Sequence, residues 1–510
     1  VLANYADAGA TGVDNNNLAS MNDALATAAV LSSSINTTVK LQQLVDAYIA
    51  ILNAANGVDD AASVNPTQAQ YGYIGITGIN SAAKASLLGD AIDIKTNADV
   101  NTIQPIQNLA NIASLVMQHA SDVATALSQA QLTALGISGL TADNIPAVLQ
   151  AIANTTNDGS SVDTLAELQA LVTTTSAGAV SARSVIETYA DANSGTAPTL
   201  NDYLAAGVTG VDSTRVASIN SALATSSVIG TSVNSTAKLQ ALVNAYNALF
   251  AVADGVDNTA NSSNPIALTY SLVGVTNANT DSNTSLLGDA IDLKNNSDID
   301  TGVELQNLTD AVSAVMACAA GNAGPSVAQL TLLGISGVNA GNLPVALQAI
   351  SNTSDNGAAV STLTDLQAVI DAALNTSSTA LNVISIYAQQ NSGTLPTVSD
   401  YANVGATVAA NQLSAINSAL ATPNVQATHV DTSLEVKALV EAYQGVFALA
   451  DGTANQGATV SAAQLNQAMA TNASAQARVQ SARSAVQLQT ARLSQTQIKA
   501  PDAGVISARQ

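Results

Sequence analysis

The sequence has very few of the residues that build most enzyme active sites. Its 510 residues include two histidines, His119 and His429, one cysteine, Cys318, and no tryptophan. A single cysteine excludes an internal disulfide framework. A nucleophilic triad or a zinc site needs partners around a histidine, and the sequence offers none for either one. We therefore predict that the chain is not an enzyme and has no catalytic, cofactor-binding or metal site, and that each histidine is a surface or helix-face residue.

Positive charge is also scarce. Lys and Arg together number 13 against 36 Asp and Glu, which gives a formal net charge of −23 at pH 7. Such a charge repels the phosphates of nucleic acids and anionic lipids, so neither is an expected partner. The same charge favours solubility and contact with divalent cations.

Long apolar runs are missing as well. The longest, around residues 311–320, is too short to span a bilayer. The chain starts at Val1 with neither Met nor an apolar secretion signal, and it lacks the lead-in that residues 195–200 supply to a later repeat. We expect Val1 to be a cut end of a longer polypeptide, with export directed by other segments.

What the sequence does contain is internal repetition. Tyr5, Tyr203 and Tyr401 follow one another at intervals of 198 residues, and each such block divides into three related pieces of roughly 66 residues. A Leu-Gln or similar pair opens the same apolar stretch in each piece: Leu41-Gln42, Ile106-Gln107, Leu168-Gln169, Leu239-Gln240, Leu305-Gln306, Leu366-Gln367 and, degraded, Val436-Lys437. Such a fixed period is typical of stacked supersecondary units that bury each other's apolar faces.

The repeat predicts seven small helical units followed by a different C-terminal segment. The predicted boundaries are 1–60, 61–127, 128–195, 196–258, 259–325, 326–393, 394–458 and 459–510.

Within a unit, the pattern predicts helices joined by turns. In the third unit a short helix over residues 131–135 ends at Gly136, and a second starts at Ile145-Pro146, where proline is tolerated in a first turn. Thr164 to Glu167 has capping-box spacing ahead of a further helix, and a third helix carries Val180 to Tyr189. Because alternating strand patterns are scarce, we predict an all-α fold.

The aromatic residues favour a packing role over ligand binding. Ten of the eleven tyrosines recur between blocks: Tyr5, Tyr203 and Tyr401; Tyr48, Tyr246 and Tyr443; Tyr71 and Tyr270; Tyr189 and Tyr387. Repetition at fixed positions is what a repeated core produces, so we predict that these tyrosines are buried.

Calcium is the one cofactor that the sequence leaves open. Asp298, Asp300 and Gly302 have the first three spacings of an oxygen-ligand loop. The equivalent stretch from Asp99 to Ile103 loses a carboxylate and the glycine, and no bidentate acid follows at the required distance. Helix capping by Asp and Asn explains the same residues without a metal.

Several repeated motifs resemble a family of bacterial surface proteins. They are Leu132-Thr-Ala-Leu-Gly-Ile-Ser-Gly-Leu140, Asn144-Ile-Pro-Ala-Val-Leu-Gln-Ala-Ile152, Val162-Asp-Thr-Leu-Ala-Glu-Leu-Gln-Ala-Leu-Val172 and Pro198-Thr-Leu-Asn-Asp-Tyr-Leu-Ala-Ala-Gly-Val-Thr-Gly-Val211. These motifs are similar to the Ala/Thr/Asn/Asp-rich helical repeats of very large adhesin-like cell-surface proteins, over residues 1–458. The resemblance implies an extended, secreted or surface-attached structural element.

The last segment differs in charge and pattern. From Arg478 onward there are five basic residues and one acid, and Val479, Val486 and Leu493 recur at the seven-residue spacing of a coiled coil. A short motif follows this heptad pattern and comprises Thr496, Ile498, Ala500, Pro501, Gly504 and Val505. This stretch resembles the second hairpin helix and returning lipoyl half-motif of periplasmic adaptor (membrane fusion) proteins.

Two functions therefore compete. The repeats favour an extracellular structural protein of a surface array, adhesin stalk or filament, whose partners are neighbouring repeats, further copies of itself and an unknown surface target. The C-terminal segment favours a component of a secretion or efflux apparatus.

Overall fold

The computed structural model describes residues 1–58, 64–122, 124–156, 159–256 and 264–449. In these ranges the chain is helical, with 21 α-helices, short 3-10 turns and no β-strand; two isolated bridges, Asn56 with Thr96 and Asp254 with Asn295, are the only strand-like pairings there. The predicted all-α class is confirmed. The best strand pattern in the sequence, from Tyr71 to Ile79, instead ends a helix and enters a turn.

The helices follow one another in a recurring order of three. A helix of six or seven residues precedes one of eight to twelve, and a long helix of 17 to 28 residues completes what we call a series. The first three series are α1 (Leu2–Asp7), α2 (Leu18–Leu25), α3 (Thr38–Ala54); α4 (Gln68–Tyr73), α5 (Ala82–Asp93), α6 (Ile103–Ser121); α7 (Gln129–Leu135), α8 (Ile145–Ala153), α9 (Leu165–Ala192). The later series are α10 (Leu200–Ala205), α11 (Val216–Leu223), α12 (Thr236–Val252); α13 (Ala267–Leu272), α14 (Asp281–Asp292), α15 (Gly302–Ala319); α16 (Val327–Leu332), α17 (Leu343–Ser351), α18 (Leu363–Gln390); α19 (Val398–Asn403), α20 (Leu413–Leu420), α21 (Ser433–Leu449).

The chain divides into two compact bodies. The first comprises Val1–Asn279 and Ile291–Asn307, and the second comprises Thr280–Ala290 and Leu308–Gln510, described as far as residue 449. In the first body, large buried side chains such as Met21, Tyr48 and Leu87 belong to one continuous apolar core. In the second, Tyr401 and Ile416 belong to another.

Side-chain caps set the first residue of most helices. Five of the short helices that open a series begin with a capping box, in which the N-cap side chain accepts from the N3 backbone N–H and the N3 side chain accepts from the N-cap. These boxes pair Thr67 with Gln70, Ser128 with Gln131, Thr199 with Asp202, Ser326 with Gln329, and Thr397 with Asp400. Threonine and serine side chains at the N-cap therefore determine where these short helices begin.

The third series corrects one prediction. The two helices expected after Thr164 are a single helix, α9, of 28 residues, and Val180 to Tyr189 form its second half. Nothing in this stretch stops the helix, because Thr173 Oγ1 donates back to the Gln169 carbonyl and a side chain at Gly178 would meet open space. The segment 459–510, with its predicted coiled coil and lipoyl-like motif, lies outside the described residues.

The tyrosines divide into a buried and a half-buried group. Seven of the ten recurrent ones are in the core: Tyr5, Tyr48, Tyr71, Tyr203, Tyr246, Tyr270 and Tyr401. Tyr189 and Tyr387, each three residues before the end of its helix, and Tyr443 are only half-buried. The prediction that all ten are buried is wrong for these three.

Candidate functional site

The two histidines and the cysteine each contact backbone groups of the chain. His119 lies on a buried face of α6, so of the two positions predicted for it only the surface one is wrong. Its ring nitrogens Nδ1 and Nε2 lie 2.8 and 2.9 Å from the carbonyl oxygens of Thr125 and Leu149. Cys318, its counterpart in the next block, is also buried, and its Sγ lies 3.3 Å from the Leu347 carbonyl oxygen. Both side chains therefore link the end of a long helix to the series that follows.

The thiol and the second histidine have different surroundings. Burial raises the pKa of Cys318, so the thiol stays protonated and weakly nucleophilic. His429 is exposed, and its Nδ1 accepts a hydrogen bond from the Gln426 backbone N–H at 3.2 Å. That bond caps a 3-10 turn.

The calcium-like stretch uses its oxygens on the protein itself. Asp298 Oδ2 accepts from the Asn295 backbone N–H at 2.9 Å, and the equivalent Asp99 Oδ2 accepts from Thr96 N at 2.9 Å. The hydrogen bonds from Thr96 lower the pKa of Asp99, as a capping carboxylate requires. Gly302 is the first residue of α15 and is not in a calcium loop. Across the described ranges no three His, Cys, Asp or Glu side chains are grouped to hold a metal.

Two surface clefts involve residues of the first series. One, of about 340 Å³, is lined by Gly9, Thr38, Val39, Gln42, Gln43 and Asp46. The other, of about 300 Å³, lies near Asn17 and Asn97. Neither contains a histidine, a cysteine or a pair of groups suited to acid–base catalysis.

Glutamines on six long helices form the most regular polar arrangement. In each case a Thr or Ser backbone N–H donates to the glutamine Oε1 at 2.8 to 3.0 Å, and Nε2 donates to the carbonyl of the same residue at 3.0 to 3.4 Å. We call this arrangement the glutamine clamp. The pairs are Gln42 with Thr11, Gln107 with Thr77, Gln169 with Ser138, Gln240 with Thr209, Gln306 with Thr276, and Gln367 with Ser336.

The clamp explains the Leu-Gln pair seen in the sequence. The leucine or isoleucine packs inward, and the glutamine beside it holds the turn between the first two helices of the same series. In the last series Lys437 stands in place of the glutamine, and Gln444 on α21 donates to the Thr407 carbonyl at 2.7 Å. The Leu-Gln pair is visible in the sequence but its partner is not, because the turn lies 30 or 31 residues earlier.

Four long helices are capped by a side chain from the preceding series. The first backbone N–H of α6 donates to Asp23, that of α9 to Asp90, that of α15 to Ser221 and that of α18 to Asp289, over 2.6 to 3.0 Å. All four acceptors lie on the second helix of their series. An aspartate at a helix N-terminus also interacts favourably with the helix dipole. These bonds therefore join one series to the next across 74 to 81 residues.

Buried tyrosine hydroxyls join further segments. Tyr203 donates to Asn220 Oδ1 at 2.6 Å, and Asn220 Nδ2 donates to the Pro198 carbonyl at 2.7 Å. Tyr401 and Asn417 repeat the first contact at 2.7 Å in the second body. Burial raises the pKa of Tyr203 far above its usual range, so its hydroxyl remains a donor.

Pairs of carboxyl groups flank the start of three long helices. They are Asp163 with Glu167, Asp300 with Glu304, and Asp431 with Glu435. Burial is the first cause of the raised pKa of Asp163, Asp300 and Glu435, and the neighbouring carboxyl group raises each further. A neighbouring like charge disfavours the ionised form of each of these three groups.

No family model, no curated protein and no solved structure matches this chain. None of the helices in the described ranges is long and apolar enough to cross a membrane.

Proposed function

We propose that the chain is a structural repeat protein, with seven stacked helical units that contribute to a surface array, an adhesin stalk or a filament outside the cell. The observation that carries this proposal is the use of its polar side chains. Glutamines and aspartates that could face a ligand are bonded to the chain's own backbone at the same positions in successive series. Buried tyrosine hydroxyls likewise donate to carbonyls or asparagine side chains of the chain itself.

The seven-unit architecture is supported by the order of the helices. Each series ends in a long helix, six of these helices carry a glutamine clamp, and four are capped from the preceding series. A unit of roughly 66 residues is small for an independent core, so bonds between series would stabilise it. The proposed partners of the chain are neighbouring repeats, further copies of the chain and a surface target, and not nucleic acid.

Electron microscopy tests the location and the assembly together. Cells that produce the protein are sheared, and the released material is imaged after gold labelling with antibodies against the chain. A regular structure carrying the label supports the proposal. Protein recovered only from the cell interior, or a compact monomer that converts a small molecule, would contradict it.

A secretion or efflux component is the second candidate, and it rests on the adaptor-like residues 459–510. If this candidate is correct, deletion of residues 459–510 abolishes transport by the apparatus. If the structural proposal is correct, the same deletion leaves the helical content of residues 1–449 unchanged.

A further inference from the structure

A short proline-containing helix covers the start of the fourth series. An ideal Cβ at Gly207 would lie 2.6 Å from the Ala147 backbone nitrogen on α8, so only glycine fits there. Thr236, the first residue of α12, has its Oγ1 2.6 Å from the Asp143 carbonyl oxygen and is 3% exposed. The third series therefore packs closely on the fourth.

The same cover recurs in the second body. An ideal Cβ at Gly405 would lie 3.4 Å from the Pro344 carbonyl carbon on α17. The Leu434 backbone N–H donates to the Gly341 carbonyl at 3.2 Å, and Ser433, the counterpart of Thr236, is 1% exposed. Two faces with the same design are thus covered by the same kind of helix.

In the first series, the face that corresponds to those covered by α8 and α17 has no helix packed on it in the described structure. Thr38, the counterpart of Thr236, and Gly9, the counterpart of Gly207, are both exposed. Thr38 Oγ1 still donates to Ala8 O at 3.0 Å, as Thr236 Oγ1 does to Ala206 O at 2.9 Å, so the local fold is unchanged. The cleft of about 340 Å³ lies on this face.

The apolar side chains around the cleft show the same difference. Ile35 and Leu41 are half-buried, whereas their counterparts Val233 and Leu239 in the fourth series are fully buried. Val430 and Val436 occupy these positions in the seventh series and are also fully buried. What differs between the open face and the covered ones is the presence of a packed neighbour.

We propose that the face formed by Gly9, Ile35, Thr38 and Leu41 binds a repeat unit of the kind that residues 128–198 form. This inference rests on the proposed stacked array and names the occupant of one of its faces. The occupant presents an Asn-Ile-Pro or Asn-Leu-Pro helix, with small side chains against Gly9 and a backbone carbonyl against the Thr38 hydroxyl. The α8 and α17 helices of a second copy do not qualify, because each already covers a face of its own chain.

The test joins a second copy of residues 128–198 ahead of Val1 in the full chain. The register is kept, because Val1 stands 198 residues before Thr199. Hydrogen exchange of the Leu41 backbone N–H, which donates to Thr37 O at 3.0 Å, is compared with that of Leu239, which donates to Ser235 O at 3.0 Å. We expect exchange at Leu41 to slow at least tenfold in the fusion, on the order expected for closing a local opening.

Two variants of the fusion locate the contact. Thr38→Arg places a long charged side chain where Thr236 is buried, so it restores fast exchange at Leu41. Ser33→Arg is the matched control, since Ser33 is exposed outside the lining of the cleft and its counterpart Thr231 stays exposed in the covered fourth series. It leaves the protection in place.

The outcomes separate this inference from the array itself. If Leu41 exchanges equally fast in the fusion and the parent while Thr236→Arg destabilises the parent, the array stands and the proposed occupant is wrong. If Thr236→Arg has no effect on stability, the stacked array fails as well. A dimer of the parent chain that Thr38→Arg dissociates would make a second copy the occupant and overturn the proposal.

Discussion

Gln42 holds Thr11 through two hydrogen bonds across 31 residues. The Thr11 backbone N–H donates to Gln42 Oε1 at 2.8 Å, and Gln42 Nε2 donates to the Thr11 carbonyl at 3.0 Å. Gln42 Nε2 also donates to Asp46 Oδ1 at 2.7 Å, which orients the amide along α3. The side chain thus satisfies the backbone of a turn that has no secondary structure of its own.

Gln42→Ala should remove both hydrogen bonds between the side chain of residue 42 and the backbone of Thr11, and so destabilise that turn. Losing two net hydrogen bonds at a half-buried position costs about 1–2 kcal/mol of unfolding free energy. The Thr11 amide should exchange faster, and the urea midpoint should fall. Gln43→Ala is the control, because Gln43 is adjacent but takes no part in the clamp. Equal effects of the two substitutions would show that the clamp contributes nothing.

Tyr203→Phe and Tyr71→Phe should have different effects on the free energy of unfolding, although both tyrosines are fully buried. Removing the Tyr203 hydroxyl leaves Asn220 Oδ1 buried without its donor, at a cost of about 1–2 kcal/mol. The Tyr71 hydroxyl finds no hydrogen-bond partner in the described structure, so its removal should be neutral or stabilising. Thermal unfolding of the two variants measures the contrast, and a larger loss at Tyr71 would contradict the hydrogen-bond assignment.

Asp90→Asn should weaken the cap of α9. Asp90 Oδ2 accepts from the Leu165 N–H at 2.9 Å and Oδ1 accepts from Asn65 Nδ2 at 2.6 Å, so an amide group cannot replace both acceptors. The expected cost is about 1–2 kcal/mol, from the lost cap and the lost charge at the helix N-terminus. Asp7→Asn makes the same charge change at an exposed residue, and chemical denaturation should show little effect.

Glu435→Gln should stabilise the protein at neutral pH. The pKa of Glu435 is raised in the folded state, first by burial and then by Asp431, so the folded chain holds this proton more tightly than the unfolded chain. The favourable contribution of the proton is present below the ordinary glutamate pKa and is lost as pH rises through the raised folded value.

The measurement is the melting temperature at two pH values. At pH 7 the neutral glutamine removes the repulsion, for a gain below about 1 kcal/mol because solvent screens a half-exposed pair. At a pH below the ordinary glutamate pKa the two proteins should melt alike. A glutamine variant that is less stable at pH 7 would contradict the like-charge pair.

Local signals in the sequence were sufficient for much of the fold. Pro146 marks the start of α8, and Thr164 caps α9 by accepting from the Glu167 backbone N–H at 3.2 Å. These signals act within one helical turn, so a sequence shows them directly. The length of α9 was missed because a run of Thr and Ser favours a break in isolation, whereas Thr173 bonds within the helix.

Contacts between distant residues could not be predicted in the same way. Asp23 and Ile103 lie 80 residues apart, and the sequence around Asp23 does not show that its carboxylate caps α6. Burial of His119 likewise depends on the Leu149 carbonyl in another series. These positions carry the polar bonds between series, which are the basis of the proposed structural role.

The most direct test of the account is deletion of one complete period. Removing residues 199–396 joins Pro198 to Thr397, which keeps the Pro-Thr junction that Pro396 forms with Thr397 in the parent. The third series then directly precedes the seventh, which contains Gly405 and Ser433. Urea unfolding followed by circular dichroism should show a folded, helical protein with a lower midpoint, because a stack of fewer units has fewer interfaces. A deletion of residues 199–363, which breaks the period, should unfold part of the chain. If the in-register deletion fails to fold, or if both deletions behave alike, the chain is not a stacked repeat array.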